Sequence, residues 1–450
     1  MKNEEKAIYS YHTFMLPFII KNEENKKSVI KNWNLDTYKA CYNEESYFHG
    51  FFKDSMFNSS NNSEFYTRKE YSNTKFIVKK RKEYNLLLEN INLRIFDTGI
   101  GVLTFNIINN DYEDVKSILE INDYARRIYP EYLDNEQKCS LLPEYIKLHD
   151  ISENFIYKEE DTKPTISKII TKLIGNEITP AIDDRMFTLC YYNNSKISDE
   201  LKTDYENHDK WYEYVFIDGA GKTVQNKKMQ AKLMEKATYP RWQESGTMYG
   251  MSKYSFVCLT NAGFPLKHMQ TIYFSMFSLL LMVRATILKF SSEVSSIAVK
   301  LEDKSTSEKV TDLYENYIKF VNKFYFREIT AKDQGLELYE QAIDIFKIER
   351  DIKDLDSELE ELHKYIELKE KKKSEKELEK TNRNLEILAY IGGALVLPSI
   401  LTGFFGMNII EFIPENHTVN ELAIYIILSA LCLPIGLFIK DKFFKKENHE

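Results

Sequence analysis

No residue between Glu386 and Glu411 carries a formal charge, and none does between Glu421 and Lys440. A hydrocarbon core of about 30 Å takes roughly 20 apolar helical residues to cross, and both stretches are near that length. Backbone polar groups in lipid have to be hydrogen-bonded within their own segment, so both stretches are expected as helices. The link between them runs only from Ile409 to Asn420, which makes the pair a hairpin that crosses twice. Lys376, Lys380 and Arg383 precede the first span, and Lys440, Lys442, Lys445 and Lys446 follow the second. The loop has Glu411 and Glu415 but no Lys or Arg. The positive-inside rule then predicts a two-pass protein of the cell (inner) membrane, both termini cytoplasmic and the acidic loop outside.

The spans use little of the 450 residues, and the mean hydropathy of -0.43 makes most of the chain water-soluble. About 330 residues before the stalk suffice for one large domain or two smaller ones with a proper core. A net charge of -8 argues against direct nucleic-acid binding. The charged start Met1-Lys2-Asn3-Glu4-Glu5-Lys6 has no apolar h-region, so no cleaved signal is expected. Cys41, Cys139, Cys190, Cys258 and Cys432 have no paired spacing, which points to neither a disulfide framework nor a zinc site.

Ala7 to Ile20 reads as extended, interrupted by Pro17. Phe76-Ile77-Val78 and Leu93-Arg94-Ile95-Phe96 read as strands, with Asp97-Thr98-Gly99 turning into a return strand over 101–106. A helix follows, with Asp111 as its expected cap and Arg127 near its end. A further helix is expected at Thr165 to Ile174, and strands at Met186 to Tyr192 and Tyr214 to Ile217. Met269 to Val283 is uncharged but short for a span and broken by Gln270, Ser275 and Ser278, so it reads as a buried or amphipathic helix. Residues 1–335 are thus predicted to form an α+β cytosolic domain.

Leu336 to Ile391 contains neither Gly nor Pro. Ile345, Ile348, Ile352, Leu355, Leu359, Leu362 and Ile366 recur at steps of three and four, a heptad seam of the kind that packs against like helices. The predicted organisation continues with a coiled-coil-like stalk helix at 336–385, a first transmembrane helix at 386–408, an outer loop at 409–420, a second transmembrane helix at 421–440 and a basic tail at 441–450.

Leu401-Thr402-Gly403-Phe404-Phe405-Gly406-Met407-Asn408, placed at the outer end of the penultimate span and followed by Pro414 and Glu415, resembles the CorA family of divalent cation channels. The resemblance covers about Leu336 to Lys446. It implies a homopentamer whose first span lines the pore, with Gly406, Met407 and Asn408 as the selectivity filter. Mg²⁺ gives up its waters reluctantly; a ring of Asn408 amides with the Gly406 carbonyl would hold the hydrated ion, Asn408 acting from the outer sphere. Glu411 and Glu415 would concentrate cations at the mouth. Counting back from Gly406, the helix face takes in Ser399, Val396, Leu388, Leu385 and Asn382. Ser399 and Asn382 match polar pore positions of the family, and Val396, Leu388 and Leu385 would form a dewetting gate. Packing against the second span is the plainer use of the same residues. Pro398 falls one residue closer to Gly-Met-Asn than the family's span proline, and Lys371 to Lys373 stand where acidic character is common.

Four stretches of the N-terminal region resemble the enlarged CorA-like proteins encoded beside CRISPR type III systems. They are Phe14-Met15-Leu16-Pro17-Phe18, the segment from Tyr42 to Phe48, the segment from Ile121 to Pro130, and Asp183 to Phe187. That resemblance implies gating by the nucleotide second messenger SAM-AMP in antiviral defence. Arg126 and Arg127 would then offer forks to phosphate, Tyr129 a stacking face, and Asp184 beside Arg185 a contact to a ribose hydroxyl or amino group. An arginine pair at a helix end and an Asp-Arg neighbour pair also serve structure alone.

Asp218-Gly219-Ala220-Gly221-Lys222-Thr223 mimics a phosphate loop, but Phe216 stands where the first Gly is required. The histidines form no ligand cluster, and no nucleophile-base pair stands out, so an enzyme is not expected. Three readings stay open: a ligand-gated channel, a constitutive magnesium uptake channel, and a membrane-anchored coiled-coil scaffold without a pore.

Overall fold

The computed structural model describes residues 7–58, 62–127, 141–154, 167–219, 223–299 and 306–406. The chain divides into two compact units, Met1–His363 and Lys364–Glu450.

Among the described residues of the first unit, thirteen strands join in one mixed sheet. They are β1 (Ser10–Ile19), β2 (Asn34–Asp36), β3 (Ser63–Thr67), β4 (Thr74–Lys79), β5 (Glu83–Phe96), β6 (Ile100–Asn109), β7 (Tyr145–Leu148), β8 (Ile151–Asn154), β9 (Thr179–Pro180), β10 (Phe187–Asn193), β11 (Thr238–Trp242), β12 (Thr247–Met251) and β13 (Ser255–Thr260). The order is β11-β12-β13-β10-β1-β6-β5-β4-β7-β8, with β3 also on β5, β2 on β3, and β9 on β1. Only the β10–β13 pair is parallel among these strands.

β1 runs straight through Pro17. One neighbour, β10, last pairs at Met15↔Phe187 and the next, β9, begins at Phe18↔Pro180, so the missing proline N–H falls in the gap between them. The β5–β6 hairpin turns where expected, with Gly99 at φ +78. Gly101 lies so close under the Phe18 ring that a Cβ would come within 2.4 Å of it.

The sheet is apolar on one side. Phe14, Leu16, Phe18, Leu93, Leu103 and Phe105 join one core cluster on that side. A second cluster gathers around Trp211, Tyr214, Met234 and Val257. On the opposite side of β1, β5 and β6 the alternation brings up polar residues instead: Thr13, Asn90, Asn92, Arg94, Thr104 and Asn106.

Several expectations are corrected. Tyr214 to Ile217 is not a strand. The helix Asp209–Phe216 covers it, capped by His208, whose side chain accepts from Trp211 N, and ended by Ile217 in the left-handed region at φ 50. Burial of Trp211, Tyr212, Tyr214 and Val215 in the second cluster overrides the strand preference of a Tyr-Val-Phe-Ile run. The helix Val115–Ala125 is capped by Asp114 rather than Asp111, since only the Asp114 carboxylate reaches Ser117 N, at 2.9 Å. The helix Lys168–Ile174 starts at the Ser167 cap.

The stalk is interrupted where the sequence predicts continuity. The helix Asp333–Phe346 stops at Lys347, at φ 62, and a new helix, Ile348–Gly406, starts behind it. The seam from Ile348 to Leu362 is used within the chain. Ile348, Leu355 and Leu359 are buried. The helix Thr306–Phe324 lies beside them, with Tyr317 donating to the Ile352 carbonyl at 3.5 Å and Tyr314 stacked on His363 at 4.9 Å.

One helical segment among the described residues, Phe264–Ala298, is long and apolar enough to cross a membrane, and 89% of its apolar window is buried inside the protein. It is a core helix, as the polar interruptions in Met269 to Val283 predict.

Candidate functional site

Two groups of predicted site residues have distinct structural settings. The first lies on the helix Ile348–Gly406, which is continuous through Pro398. Its regular geometry keeps Asn382, Leu385, Leu388, Val396, Ser399 and Gly406 on one side, over about 36 Å at 1.5 Å per residue. Leu385, Leu388 and Val396 are 58%, 62% and 52% exposed in the single chain, so nothing within it covers them. Ser399 returns its hydroxyl to the Leu395 carbonyl at 2.7 Å. Met407, Asn408, Glu411 and Glu415 lie outside the described residues, as do the outer loop and the second apolar segment.

The second group comes together in space. Met186 N donates to the Arg126 carbonyl at 2.9 Å, which docks the Asp183–Arg185 segment onto the end of the helix Val115–Ala125. Asp123, one turn back on that helix, receives Arg126 at 3.2 Å and Arg127 at 2.8 Å. Arg185 pairs with Asp183 at 2.7 Å, lies 3.9 Å from Asp184 and sits over the Tyr254 ring at 4.8 Å. Tyr129 lies outside the described residues.

Burial dominates the electrostatics here. Arg126 is 2% exposed, and its Nε and Nη1 have no hydrogen-bond partner. Desolvation, partly offset by Asp123, brings its pKa down to about 10. Burial, with Asp183 alongside, drives Asp184 upward. Burial also opposes ionisation of Asp183, but the Arg185 guanidinium outweighs it and holds that carboxylate well below its usual range. Asp184 is therefore the carboxyl of the pair that keeps a proton more readily. The cluster combines internally paired guanidinia with unused donors on Arg126, an arrangement that can take an anion only after some pairs open.

The sequence reading passed over three members of this neighbourhood. Asp123 is the acceptor for both arginines. Tyr254 stacks on Arg185, and Arg284, whose buried Nη1 has no partner, lies 5.3 Å from the Phe346 ring and feels the charge of Asp183. Asp123 was legible from its i,i+3 and i,i+4 spacing to Arg126 and Arg127. Arg284 was visible as the charge that ends an uncharged run. The phosphate-loop mimic is a clamp: Asp218 accepts from Tyr212, from Thr223 N and from the Thr223 hydroxyl. Among the described residues no group of three or more His, Cys, Asp or Glu is placed to hold a metal ion.

Residues 254–442 match the model of a family of membrane cation transporters, and that match takes in both uncharged apolar segments. The family is described as CorA-like Mg²⁺ transporter protein. No curated protein matches the chain. Among solved structures, the CorA magnesium transporter from Methanocaldococcus jannaschii is similar at 11% identity and a TM-score of 0.28, over 59% of this chain and 92% of that chain. A superposition that loose carries no argument.

Proposed function

We propose that the chain is the subunit of a homopentameric membrane channel for Mg²⁺ or another divalent cation. The observation that carries this reading is the helix Ile348–Gly406. It enters the uncharged segment unbroken, leaves its apolar side chains uncovered and ends at Gly-Met-Asn, inside the region that matches a magnesium transporter family. In this reading the first span lines the pore and a second span follows over 421–440, with both termini cytoplasmic. Gly406, Met407 and Asn408 form the filter, and Asn408 holds the ion through its waters. Glu411 and Glu415 form the outer rim. Val396, Leu388 and Leu385 form the dewetting constriction between Ser399 and Asn382.

The finer reading adds gating by a nucleotide second messenger, SAM-AMP, in antiviral defence, with Arg126, Arg127, Tyr129, Asp184 and Arg185 as contacts. The unused Arg126 donors beside Asp184 support it. A second reading, constitutive magnesium uptake, is favoured by the pairing of Arg126, Arg127 and Arg185 with Asp123 and Asp183, which needs no ligand.

The test is Mg²⁺ entry into liposomes carrying the purified chain and a Mg²⁺-sensitive dye, with and without SAM-AMP. Entry that requires the messenger supports gating, and entry without it supports uptake. Asn408→Ala is expected to change the rate or the ion preference with the assembly intact. Identical permeation by that variant removes the filter assignment.

A further inference from the structure

The polar side of the sheet is a second unexplained feature, and it encloses space. Along β5, Ile91, Leu93 and Ile95 enter the apolar core while Asn90, Asn92 and Arg94 project to the other side. Their cross-strand neighbours are also polar or aromatic: Asn90 is opposite Asn106, Asn92 opposite Thr104 and Thr67, and Arg94 opposite Phe65. Four of these residues form one chain of hydrogen bonds. Thr13 donates to Asn106 Oδ1 at 2.8 Å, Asn106 Nδ2 to Asn90 Oδ1 at 2.9 Å, and Asn92 Nδ2 to the same oxygen at 3.4 Å.

A sheet interior lined this way stabilises the fold less than an apolar one, because each amide exchanges water for a neighbour at little net gain. The start of the Phe264–Ala298 segment covers it without filling it. A cavity of about 460 Å³ remains between Lys267, Gln270, Thr271 and Phe274 on the helix and the polar residues of the sheet. That volume lies within the roughly 300–1,000 Å³ of small-molecule sites. Gln270 and Thr271 belong to a π-turn, Met269–Tyr273, a distortion that recurs at functional sites.

One buried charge beside the cavity is under-used. Arg94 is 3% exposed, and neither Nη1 nor Nη2 has a hydrogen-bond partner. Its guanidinium lies 4.6 Å from the Tyr38 ring and 5.5 Å from the Phe65 ring, both of which line the cavity. The nearby carboxylate, Glu44, already accepts from Tyr38, Ser275 and Cys41 N. A buried guanidinium with two unused nitrogens favours an oxyanion. Lys69 and Lys267 add positive charge to the lining, while Asp36 and Glu89 supply acceptors for hydroxyl groups.

We propose that this cavity binds a nucleoside phosphate. Tyr38, Phe65 and Phe274 offer faces for a base, the Asn90–Asn106 amides and Gln270 read its edge, Asp36 or Glu89 takes a sugar hydroxyl, and Lys267 with Arg94 takes the phosphate. The site shares no residue with the Arg126–Asp184 cluster and does not depend on it.

The test is calorimetric titration of the full chain in detergent micelles with AMP, GMP, CMP and UMP, with inorganic phosphate as the comparison. At least one nucleotide is expected to bind more tightly than phosphate. Lys267→Ala and Gln270→Leu are each expected to weaken it about tenfold, the loss of one charge-assisted or buried hydrogen bond. Lys267 is exposed, so its variant keeps the fold, which an unchanged melting midpoint checks. Three outcomes overturn the proposal: no nucleotide binds, phosphate binds as well as the nucleotides, or both variants bind undiminished. Loss of binding in Arg127→Ala with both cavity variants unaffected moves the ligand to the other cluster.

Discussion

His12 is wholly buried and makes a hydrogen bond through each ring nitrogen, at 2.7 Å to Asn122 Oδ1 and 2.8 Å to Ser10 Oγ. The Asn122 oxygen can only accept, so Nδ1 carries the proton and Nε2 accepts from Ser10. A second proton has no acceptor waiting, and burial lowers the pKa from 6.5 to about 4. The unfolded chain binds that proton first as pH falls. Stability is therefore full above the unfolded value and is lost as pH drops from about 6.5 toward 4, by about 3 kcal/mol at most. His12→Gln cannot titrate there, so its unfolding free energy is expected to fall less between pH 7 and pH 4.5 than that of the parent chain. Equal losses in denaturant titrations of the two proteins would exclude His12 as the source. Cys190 lies 3.4 Å from the same imidazole, but burial pushes its thiol up to about 12, so the Cys-His contact is not an activated nucleophile. Residue-scale chemistry of this kind was barely legible beforehand: His12, Asn122 and Cys190 are far apart in sequence, and only the β1–β10 pairing and the helix Val115–Ala125 bring them together.

Elements were legible where local pattern and tertiary demand agree. The β5–β6 hairpin has alternation, a turn signal and a glycine at positive φ, all pointing the same way. The buried helix at Met269 to Val283 was recognisable because polar residues interrupt it, and a buried setting satisfies them. Failures occurred where long-range packing decides. Nothing in the run Glu340 to Arg350 signals a helix break, yet Lys347 takes a left-handed conformation that costs an ordinary side chain roughly 1–2 kcal/mol. This yields a test with opposite signs for the two structures. In an unbroken helix, Lys347→Gly destabilises by about 1 kcal/mol. At φ 62 the same substitution relieves strain and is expected to raise the melting midpoint, less the small exposed ion pair to Asp344 that it removes. A lowered midpoint would restore the continuous stalk.

At the scale of the whole molecule, the seam residues Ile348 to Leu362 bear on where subunits can meet. A heptad repeat says that a helix has a partner and does not say whose helix it is. The candidate site was half legible for the same reason: Arg126, Arg127, Asp184 and Arg185 do converge, but their internal pairing depends on Asp123 and on the docking of Met186. In the first unit the partner is Thr306–Phe324 of the same chain, so residues up to His363 serve its own core. The contacts of the proposed pentamer then fall to other surfaces, with the uncovered Leu385, Leu388 and Val396 among the candidates. Leu359→Ala separates the alternatives. Leu359 is fully buried within the chain, so truncation is expected to cost about 2–5 kcal/mol of domain stability. Native mass spectrometry of the detergent-solubilised variant, at a temperature where it stays folded, is expected to show the parent's subunit number. A variant that dissociates while its unfolding midpoint is unchanged would make the seam a contact between subunits and return the stalk to its sequence-based role.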